Sequence, residues 1–238
     1  MPVSAYDAFA PIYDEWAAHM MEDVPFYVSL AREADGPVVE LGVGNGRVAV
    51  PVAQETGRPV IGVDSSPAML AAARDRAAAA GVELDLREGD MAELELDEPA
   101  ALVYCPFRSL LHVRGWAEKR LVLERVAASL RLRGRFAWNA FVFDPEVAAR
   151  NDGFAARHGS LWEYVEHAPG DNRIDVTAFA GQPGVDGRTV SLWWATRSEW
   201  EGLIEAAGLE VEALYGWFDR RPFDDRSPEF VWIARRPR

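Results

Sequence analysis

The sequence predicts an α/β fold in which a doubly wound, seven-stranded mixed sheet has helices on both faces and carries a small antiparallel β insertion. Three observations lead to this prediction. Short apolar runs alternate with helical patterns from residue 38 to residue 142, as is typical of a parallel sheet covered on both faces. The first run ends in closely spaced glycines that lead into a helix. After Pro145 the pattern changes to short alternating runs separated by turn signals.

The composition indicates one globular domain. The 238 residues are 49% hydrophobic and 26% charged, a balance typical of folded proteins. We expect a single domain with four parts: an N-terminal helical cap (1–35), a core (36–142), an antiparallel insertion that forms a lid (143–196), and a C-terminal helix with strands (197–238).

The charge and the cysteine count narrow the classes of function. A formal net charge of −13 argues against a nucleic-acid partner, because no basic stripe is present to contact phosphates. The single cysteine, Cys105, excludes an internal disulfide, and no metal site is expected. The sequence has no charged-plus-apolar leader and no apolar run of about 18 residues. We therefore expect a cytoplasmic protein without a membrane partner, and a homodimer stays open.

The N-terminal segment is rich in aromatic residues and is interrupted by prolines. It carries two Tyr-Asp pairs seven residues apart, Tyr6-Asp7 and Tyr13-Asp14. Pro11 and Pro25 predict short helices broken at those positions, because proline removes a backbone donor inside a helix.

Five buried strands alternate with helices in the core. Ser66 is a good N-cap, and with Pro67 at the first helical position it begins an alanine-rich helix that stops at Gly81. Another helix begins near Trp116, and Gly134 ends the connection to the fifth strand. The five strands are predicted at residues 38–41, 59–63, 82–86, 100–104 and 135–142.

The rest of the chain predicts an antiparallel meander followed by a helix and two closing strands. Thr196 to Glu199 matches a capping box that begins the helix, and Gly208 ends it. A polar loop joins the last two strands, which predicts an antiparallel edge on a mixed sheet. The meander strands are predicted at residues 161–165, 174–179 and 189–194, and the closing strands at 209–215 and 230–234.

Gly42, Gly44 and Gly46 form a turn between the first strand and the next helix. Such a turn lets bare backbone approach a ligand, with a helix N-terminus close behind it. Dinucleotide sites have the spacing G-x-G-x-x-G, whereas this turn has G-x-G-x-G followed by arginine. Asp64 lies about twenty residues further on. A carboxylate at this position accepts ribose hydroxyl groups in dinucleotide sites and also in other nucleoside sites of this kind, so it does not distinguish between them.

An ordered set of motifs resembles the class I S-adenosylmethionine-dependent methyltransferases that act on small molecules. The run from Glu40 to Gly46 resembles their nucleoside motif, and the run Asp64–Leu70 and Gly89-Asp90-Met91 follow at matching positions. The two Tyr-Asp pairs and residues 196–211 are similar to the two ends of such enzymes. The resemblance implies a Rossmann-like fold, S-adenosylmethionine as the cofactor, and methyl transfer to a nitrogen or oxygen of a small-molecule acceptor.

The resemblance also implies roles for individual residues of a cofactor-binding core. The glycines would pass beside the methionine part and the ribose, Asp64 would accept the ribose hydroxyl groups, and Glu40 would orient the turn or reach the ammonium group. Asp90 and the amide of Met91 would contact the adenine. The implied cofactor-binding residues are Tyr13, Glu40, Gly42, Gly44, Asn45, Gly46, Asp64, Ser65, Met69, Asp90, Met91, Pro106 and Phe107.

The acceptor side of the site is less defined by the sequence. Residues 105–112 lack the Asp/Asn-Pro-Pro-aromatic motif that would indicate methylation of nucleic-acid or protein amines. In methyl displacement the protein mainly supplies alignment of the two reactants. A neutral amine needs no base before it attacks, whereas a hydroxyl group does. His112 is the first candidate for a catalytic base, and the further candidates are His19, Tyr13, Tyr164 and Glu163. The candidate substrate residues, several of them on the lid, are His19, Asn139, Phe141, Trp162, Tyr164 and Trp194.

Two other functions stay open. A nicotinamide-dependent oxidoreductase has a similar sheet, although the glycine spacing and Gly89-Asp90-Met91 weigh against it. A non-catalytic S-adenosylmethionine-binding protein of the same fold is the second alternative, since fold alone does not establish catalysis.

Overall fold

The computed structural model describes residues 5–17, 21–153, 155–180, 184 and 186–238, so the candidate residue His19 lies outside the described residues. The strands are β1 (Val38–Leu41), β2 (Val60–Asp64), β3 (Leu84–Glu88), β4 (Ala100–Cys105), β5 (Leu130–Phe141), β6 (Ala155–His158), β7 (Leu161–Ala168), β8 (Arg173–Ala180), β9 (Arg188–Trp193), β10 (Glu210–Tyr215) and β11 (Glu229–Arg235). The α-helices are α1 (Tyr13–Ala17), α2 (Asp23–Glu33), α3 (Ala49–Thr56), α4 (Pro67–Ala80), α5 (Gly115–Ser129), α6 (Pro145–Asn151) and α7 (Arg197–Ala206). Short 3-10 helices cover Ala5–Asp7, Ala10–Ile12, Met91–Glu93, Ser109–His112 and Pro169–Asp171.

The large sheet has seven strands in the order β10-β11-β5-β4-β1-β2-β3. Strands β1 to β5 run parallel, and β11 runs antiparallel between β5 and β10. The chain reverses its direction of progress across the sheet between β1 and β4, which opens a crevice at the carboxyl ends of these strands. The predicted doubly wound sheet with an antiparallel edge is confirmed. The insertion forms a separate antiparallel sheet, β6-β7-β8-β9, which contains the three predicted meander strands and one further strand, β6.

Three apolar clusters hold these layers together. Val39 and Leu41 of β1 pack with α5 and α7 on one face of the large sheet. Val38 of the same strand packs with α2 and α3 on the other face. A third cluster joins Phe9 of the cap to Met69 of α4 and to the insertion. The cap and the insertion therefore meet over the carboxyl end of the large sheet.

The third strand begins two residues later than predicted, at Leu84 instead of Val82. Helix α4 ends at Gly81, which has a left-handed backbone with φ +69°. The amide of Val82 then donates to the carbonyl of Ala77 across 3.0 Å. Because this bond closes the end of the helix, Val82 belongs to the helix terminus and not to the strand.

The fifth strand is longer than predicted and begins at Leu130. Gly134, which was predicted to end the preceding connection, lies inside the strand at an irregularity where the register between β4 and β5 shifts. Arg133 next to it has a left-handed backbone with φ +65°. A Cβ atom on Gly134 would lie 2.8 Å from the carbonyl oxygen of Ala100, so this glycine permits close strand contact.

Helix α6 and strand β6 were not predicted, and helix α2 is not broken at Pro25. Asp144 caps α6 by accepting from the amides of Glu146 and Val147, whereas β6 has no alternating apolar pattern. Pro25 lies in the first turn of α2, where a missing backbone donor costs no helical hydrogen bond. No helix among the described residues is long and apolar enough to cross a lipid bilayer.

Candidate active site

A cavity of about 430 Å³ opens at the carboxyl ends of β1, β2 and β3. Its walls come from the glycine turn, the ends of β2 and β3, the loop after β4, the first half of α5 and the cap. His112 lines this cavity. The predicted cofactor residues that line it are Tyr13, Gly42, Gly44, Asp64, Ser65, Met69, Asp90, Met91 and Phe107. Residues far apart in the sequence therefore meet in one site, as the resemblance implies.

A larger groove of about 880 Å³ lies at the opposite end of the parallel strands, beside the amino ends of β4 and β5. Three of its arginines are paired with carboxylates, for example Arg135 with Glu33 and Glu212. It contains none of the predicted site residues. The volume of a cavity alone therefore does not locate the site in this protein.

The glycine turn needs glycine at each of its three positions. Gly42, Gly44 and Gly46 all have left-handed backbones, with φ of +65°, +53° and +77°, a region that other L-residues rarely adopt. A Cβ atom on Gly42 would also lie 2.9 Å from Cβ of Ser109. The turn therefore brings bare backbone to the cavity, where Gly42 and Gly44 form part of the lining.

Asp64 joins the end of β2 to the glycine turn. Its Oδ2 accepts from the amide of Gly44 across 2.8 Å, and its Oδ1 accepts from the amide of Ser66 across 2.8 Å. Burial raises the pKa of the Asp64 carboxyl above its ordinary value, although these backbone hydrogen bonds oppose the shift. Each carboxylate oxygen has a second lone pair, so Asp64 can accept further hydrogen bonds from a ligand in the cavity.

Four predicted cofactor residues stand behind the cavity lining and support it. Asn45 is buried and donates from Nδ2 to Oδ1 of Asp14 across 2.6 Å. Gly46 packs against α3 and α4, where a Cβ atom would lie 3.3 Å from Val50. The carbonyl of Pro106 accepts from the side chain of Ser109 across 2.8 Å. Glu40 is the fourth of these residues.

Glu40 is a buried acid directly behind the glycine turn. Burial raises the pKa of its carboxyl to about 8, and the side chains of Tyr104 and Arg47 oppose the shift. Its Oε2 has no hydrogen-bond partner among the described residues. The side chain is therefore protonated at neutral pH.

A buried ion pair fixes the helix that follows the turn. The guanidinium of Arg47 donates to both carboxylate oxygens of Asp23, across 2.7 and 2.6 Å. Its Cζ also lies 4.7 Å from the ring centroid of Phe107, within the range of a cation–π contact. Arg47 therefore connects α2, the glycine turn and the loop after β4.

The loop after β4 contains two consecutive non-glycine residues in the left-handed region. Phe107 has φ +54° and Arg108 has φ +63°, a conformation that surrounding contacts must hold in place. Arg108 pairs with the fully buried Glu229, and its amide donates to Oδ1 of Asn139 across 3.4 Å. The Arg108 guanidinium also lies 5.6 Å from the ring of Phe141. Asn139 and Phe141, predicted to contact substrate, therefore support this loop from below.

Tyr6 and His112 form a hydrogen-bonded pair in the cavity wall. The Tyr6 hydroxyl lies 2.7 Å from Nε2 of His112, and Nδ1 of the same ring lies 3.1 Å from the carbonyl oxygen of Ser191. Burial lowers the pKa of His112 to about 4; the hydrogen bond to Ser191 opposes the shift, and the charge of Lys119 adds to it. His112 is therefore neutral at neutral pH.

The insertion places the candidate base Glu163 and the predicted substrate residues Trp162 and Tyr164 on opposite faces of its sheet. Glu163 accepts from the indole of Trp16 across 2.8 Å and so faces the cap. Because side chains alternate along a strand, Trp162 and Tyr164 face the other side of the insertion sheet, away from the cavity. Trp194 stacks on Phe143 with ring centroids 4.1 Å apart and does not line the cavity.

Sequence reasoning missed the contribution of α5 to the cavity. Glu118, Leu121 and Val122 line it together with Val113, and their spacing of three and four residues marks one face of a helix. Tyr6 also lines the cavity. Its place in the first Tyr-Asp pair was the signal that could have identified it.

Comparisons with known proteins agree with this geometry. Residues 38–134 match a family model described as a methyltransferase domain. A dTDP-3-amino-3,6-dideoxy-alpha-D-glucopyranose N,N-dimethyltransferase of Streptomyces fradiae is 31% identical over 170 residues, which cover 66% of this chain and 64% of that protein. The chain thus spans slightly less than two thirds of the length of that curated relative.

Solved structures extend the similarity over the whole chain. The CcbJ methyltransferase from Streptomyces caelestis is 26% identical, with a TM-score of 0.85 and 99% coverage of both chains. CalS10, an amino pentose methyltransferase from Micromonospora echinaspora solved with S-adenosylmethionine bound, has a TM-score of 0.68 and 21% identity; 99% of this chain and 98% of that chain are covered. Residues 38–134 thus form a methyltransferase domain, and the chain as a whole is similar in fold and sequence to class I S-adenosylmethionine-dependent methyltransferases that act on small molecules.

Proposed function

We propose that the protein transfers a methyl group from S-adenosylmethionine to a primary or secondary amine of a small-molecule acceptor. One observation carries this proposal. A single cavity combines a nucleoside-type rim at Asp64 and Asp90 with a neutral, hydrogen-bonded Tyr6–His112 pair in its wall.

The residues on the rim fit S-adenosylmethionine. Gly42 and Gly44 present bare backbone to the cavity, and a Cβ atom on Gly42 would lie only 2.9 Å from Cβ of Ser109. Asp64 presents a carboxylate to the cavity for the ribose hydroxyl groups, and Asp90 with Met91 presents an acceptor and an amide for the adenine. When bound, S-adenosylmethionine supplies a methyl group on a sulfonium, which is already activated for displacement.

Neither His112 nor the two tyrosines that line the cavity supplies a strong base. His112 has a pKa near 4 and already accepts a hydrogen bond at Nε2. Burial raises the pKa of both Tyr6 and Tyr13 above the ordinary value, so both remain protonated. A hydroxyl acceptor would have to lose its proton to such groups during attack, whereas a neutral amine attacks without a base. These properties favour nitrogen over oxygen as the acceptor atom.

In this proposal Tyr6 contacts the acceptor and His112 positions Tyr6. A phenolic oxygen can accept a hydrogen bond from an amine N–H while it donates its own proton to His112. The amine lone pair is then directed away from Tyr6 and toward the methyl carbon, where the C–N bond would form as the C–S bond breaks and leaves S-adenosylhomocysteine. The methylated product loses its extra proton to water after it leaves the cavity. The rings of Tyr13 and Phe107 also line the cavity and exclude water from it. The sequence predicts His112 as a base, and no observation tests that role; in this proposal His112 acts through Tyr6 instead.

The relatives support the same acceptor class. The Streptomyces fradiae protein is a methyltransferase for a dTDP-linked amino sugar, and CalS10 is an amino pentose methyltransferase. The net charge of −13 is compatible with a cationic acceptor and unfavourable for a nucleic acid. We extend the proposal to a cytoplasmic enzyme that acts on a free small molecule.

Calorimetry and a methyl-transfer assay test the proposal together. We expect S-adenosylmethionine and S-adenosylhomocysteine to bind in a 1:1 ratio. A panel of acceptors should contain matched pairs that differ only by an amino group in place of a hydroxyl group. We expect methylation of amines only, with sugar-linked amines tested first.

Each outcome has a separate meaning. Binding of neither cofactor form would overturn the assignment of the cavity. Binding without turnover of any amine would support a non-catalytic binding protein instead. Methylation of the hydroxyl member of a pair would contradict the acceptor class and would require a base in the site.

A further inference from the structure

The first Tyr-Asp pair fastens the cap to the start of helix α4. Oδ1 of Asp7 accepts from the side-chain hydroxyl of Ser66 across 2.6 Å and from the amide of Ala68 across 3.2 Å. Ser66 is also bonded through its amide to Asp64. Asp7 is therefore connected, through one residue, to the carboxylate on the nucleoside rim.

The second Tyr-Asp pair fastens the cap to the glycine turn. Oδ1 of Asp14 accepts from Nδ2 of the buried Asn45 across 2.6 Å. The same oxygen pairs with the guanidinium of Arg76 on α4. Asp14 therefore holds the cap against the part of the site that is built from bare backbone.

Each aspartate directly follows a tyrosine that lines the cavity. Tyr6 bonds to His112, and the hydroxyl of Tyr13 lies 3.9 Å from the position of a Cβ atom on Gly44. The two rings have centroids 6.2 Å apart. Although Tyr6 and Tyr13 lie on two different short helices, their rings therefore share one wall of the cavity.

We propose that Asp7 and Asp14 are positioning residues that set Tyr6 and Tyr13 over the reacting methyl group. Each aspartate ties its neighbouring tyrosine to one of the two elements that hold the cofactor, the start of α4 and the glycine turn. This inference rests on the proposed function. It adds two residues that line no part of the cavity and that act through tyrosines.

Other contacts keep the cap attached when one aspartate is removed. Glu15 accepts from the amide and the hydroxyl of Ser160, and Trp16 donates to Glu163, so the cap is also bound to the insertion. Phe9 is fully buried in the cluster between α4 and the insertion. Loss of Asp7 or Asp14 therefore changes the alignment of the tyrosines without releasing the segment.

The test uses Asp7→Ala and Asp14→Ala, with Asp7→Asn and Asp14→Asn as conservative variants that keep an acceptor oxygen. Hydrogen exchange is measured on peptides from residues 5–17 of the protein saturated with S-adenosylhomocysteine. We expect faster exchange in both alanine variants. We also expect kcat/KM for the amine to fall by about tenfold, while the Kd of S-adenosylhomocysteine changes by less than about threefold. In the asparagine variants, the exchange rate of these peptides and kcat/KM should both be close to the wild-type values.

Asp75→Ala, an exposed aspartate on α4, is the matched control and should behave as the wild type. Wild-type exchange and kcat/KM in both alanine variants would overturn the proposal. A loss of S-adenosylhomocysteine affinity as large as the loss of kcat/KM would also overturn it, because the aspartates would then serve cofactor binding. If the wild type methylates no amine, the proposed function fails, and the exchange data still decide whether the aspartates hold the cap.

Discussion

The hydroxyl group of Tyr6 donates to Nε2 of His112 across 2.7 Å. The direction of this hydrogen bond follows from the partner of the other ring nitrogen, Nδ1. Nδ1 faces the carbonyl oxygen of Ser191, which can only accept, so Nδ1 carries the proton and Nε2 is the acceptor. The pair is complete only while the imidazole is neutral, and a pKa of about 4 keeps it neutral across the physiological range.

Removing either member of this pair should lower turnover more than binding. We expect Tyr6→Phe to reduce kcat/KM for the amine by about tenfold to a hundredfold, because the acceptor loses its alignment. His112→Ala should reduce kcat/KM by a smaller factor, and the double variant should reduce kcat/KM by about as much as Tyr6→Phe alone. Steady-state kinetics and calorimetry with S-adenosylhomocysteine check these effects. Additive losses in the double variant would contradict a role of His112 through Tyr6.

The pH profile should follow the acceptor and not the histidine. Since His112 stays neutral above its pKa of about 4, kcat/KM should rise with pH as the amine of the acceptor loses its proton. Two acceptors with different amine pKa values should shift the profile accordingly. An acidic limb that is the same for both acceptors and disappears in His112→Ala would identify His112 as the base.

Replacing Asp64 should weaken cofactor binding. Asp64→Ala removes the carboxylate from the cavity rim and leaves the amide of Gly44 without its acceptor, so the turn loses support as well. We expect the Kd of S-adenosylhomocysteine to rise by at least about tenfold, the equivalent of one charge-assisted hydrogen bond. Asp85→Ala, on the edge strand β3, is the control. An unchanged Kd in Asp64→Ala would place the cofactor elsewhere.

Features set by local chemistry could be predicted from the sequence. The glycine turn, the Ser66 cap and the capping box at Thr196 all depend on a few consecutive residues, and each is present as predicted. Helix α5 begins and β4 ends within one residue of their predicted positions. The cavity residues near the strand ends follow from the order of parallel strands.

Features set by packing between distant segments could not be predicted. The alternating pattern of β7 shows that Trp162 and Tyr164 share a face, but not which face of the sheet meets the cap. Nothing in the local sequence marks Phe107 and Arg108 for left-handed backbones. Their conformation depends on contacts with Arg47 and Glu229, which lie 60 and 121 residues away.

The sole lysine of the chain, Lys119, should titrate close to neutral pH. It is 1% exposed and donates to the carbonyl of Val113, and burial lowers its pKa to about 7. Lysine labelled with ¹³C gives one side-chain signal, whose titration reports this pKa directly. A midpoint near 10.5, the ordinary value, would contradict the burial. Between these two values the folded protein binds fewer protons than the unfolded chain, so this group makes stability rise with pH.

Glu40 should have the opposite effect on stability. Its pKa is raised from 4.5 to about 8 in the folded protein, so between these values the folded protein binds more protons than the unfolded chain. Stability then falls as pH rises, by at most about 1.4 kcal/mol per pH unit for one group. Glu40→Gln keeps the shape of the neutral acid and removes the titration. We expect the free energy of unfolding of Glu40→Gln, measured in urea, to increase relative to that of the wild type as the pH rises from 5 to about 8. Parallel curves for the two proteins would mean that Glu40 is already ionised in the folded state.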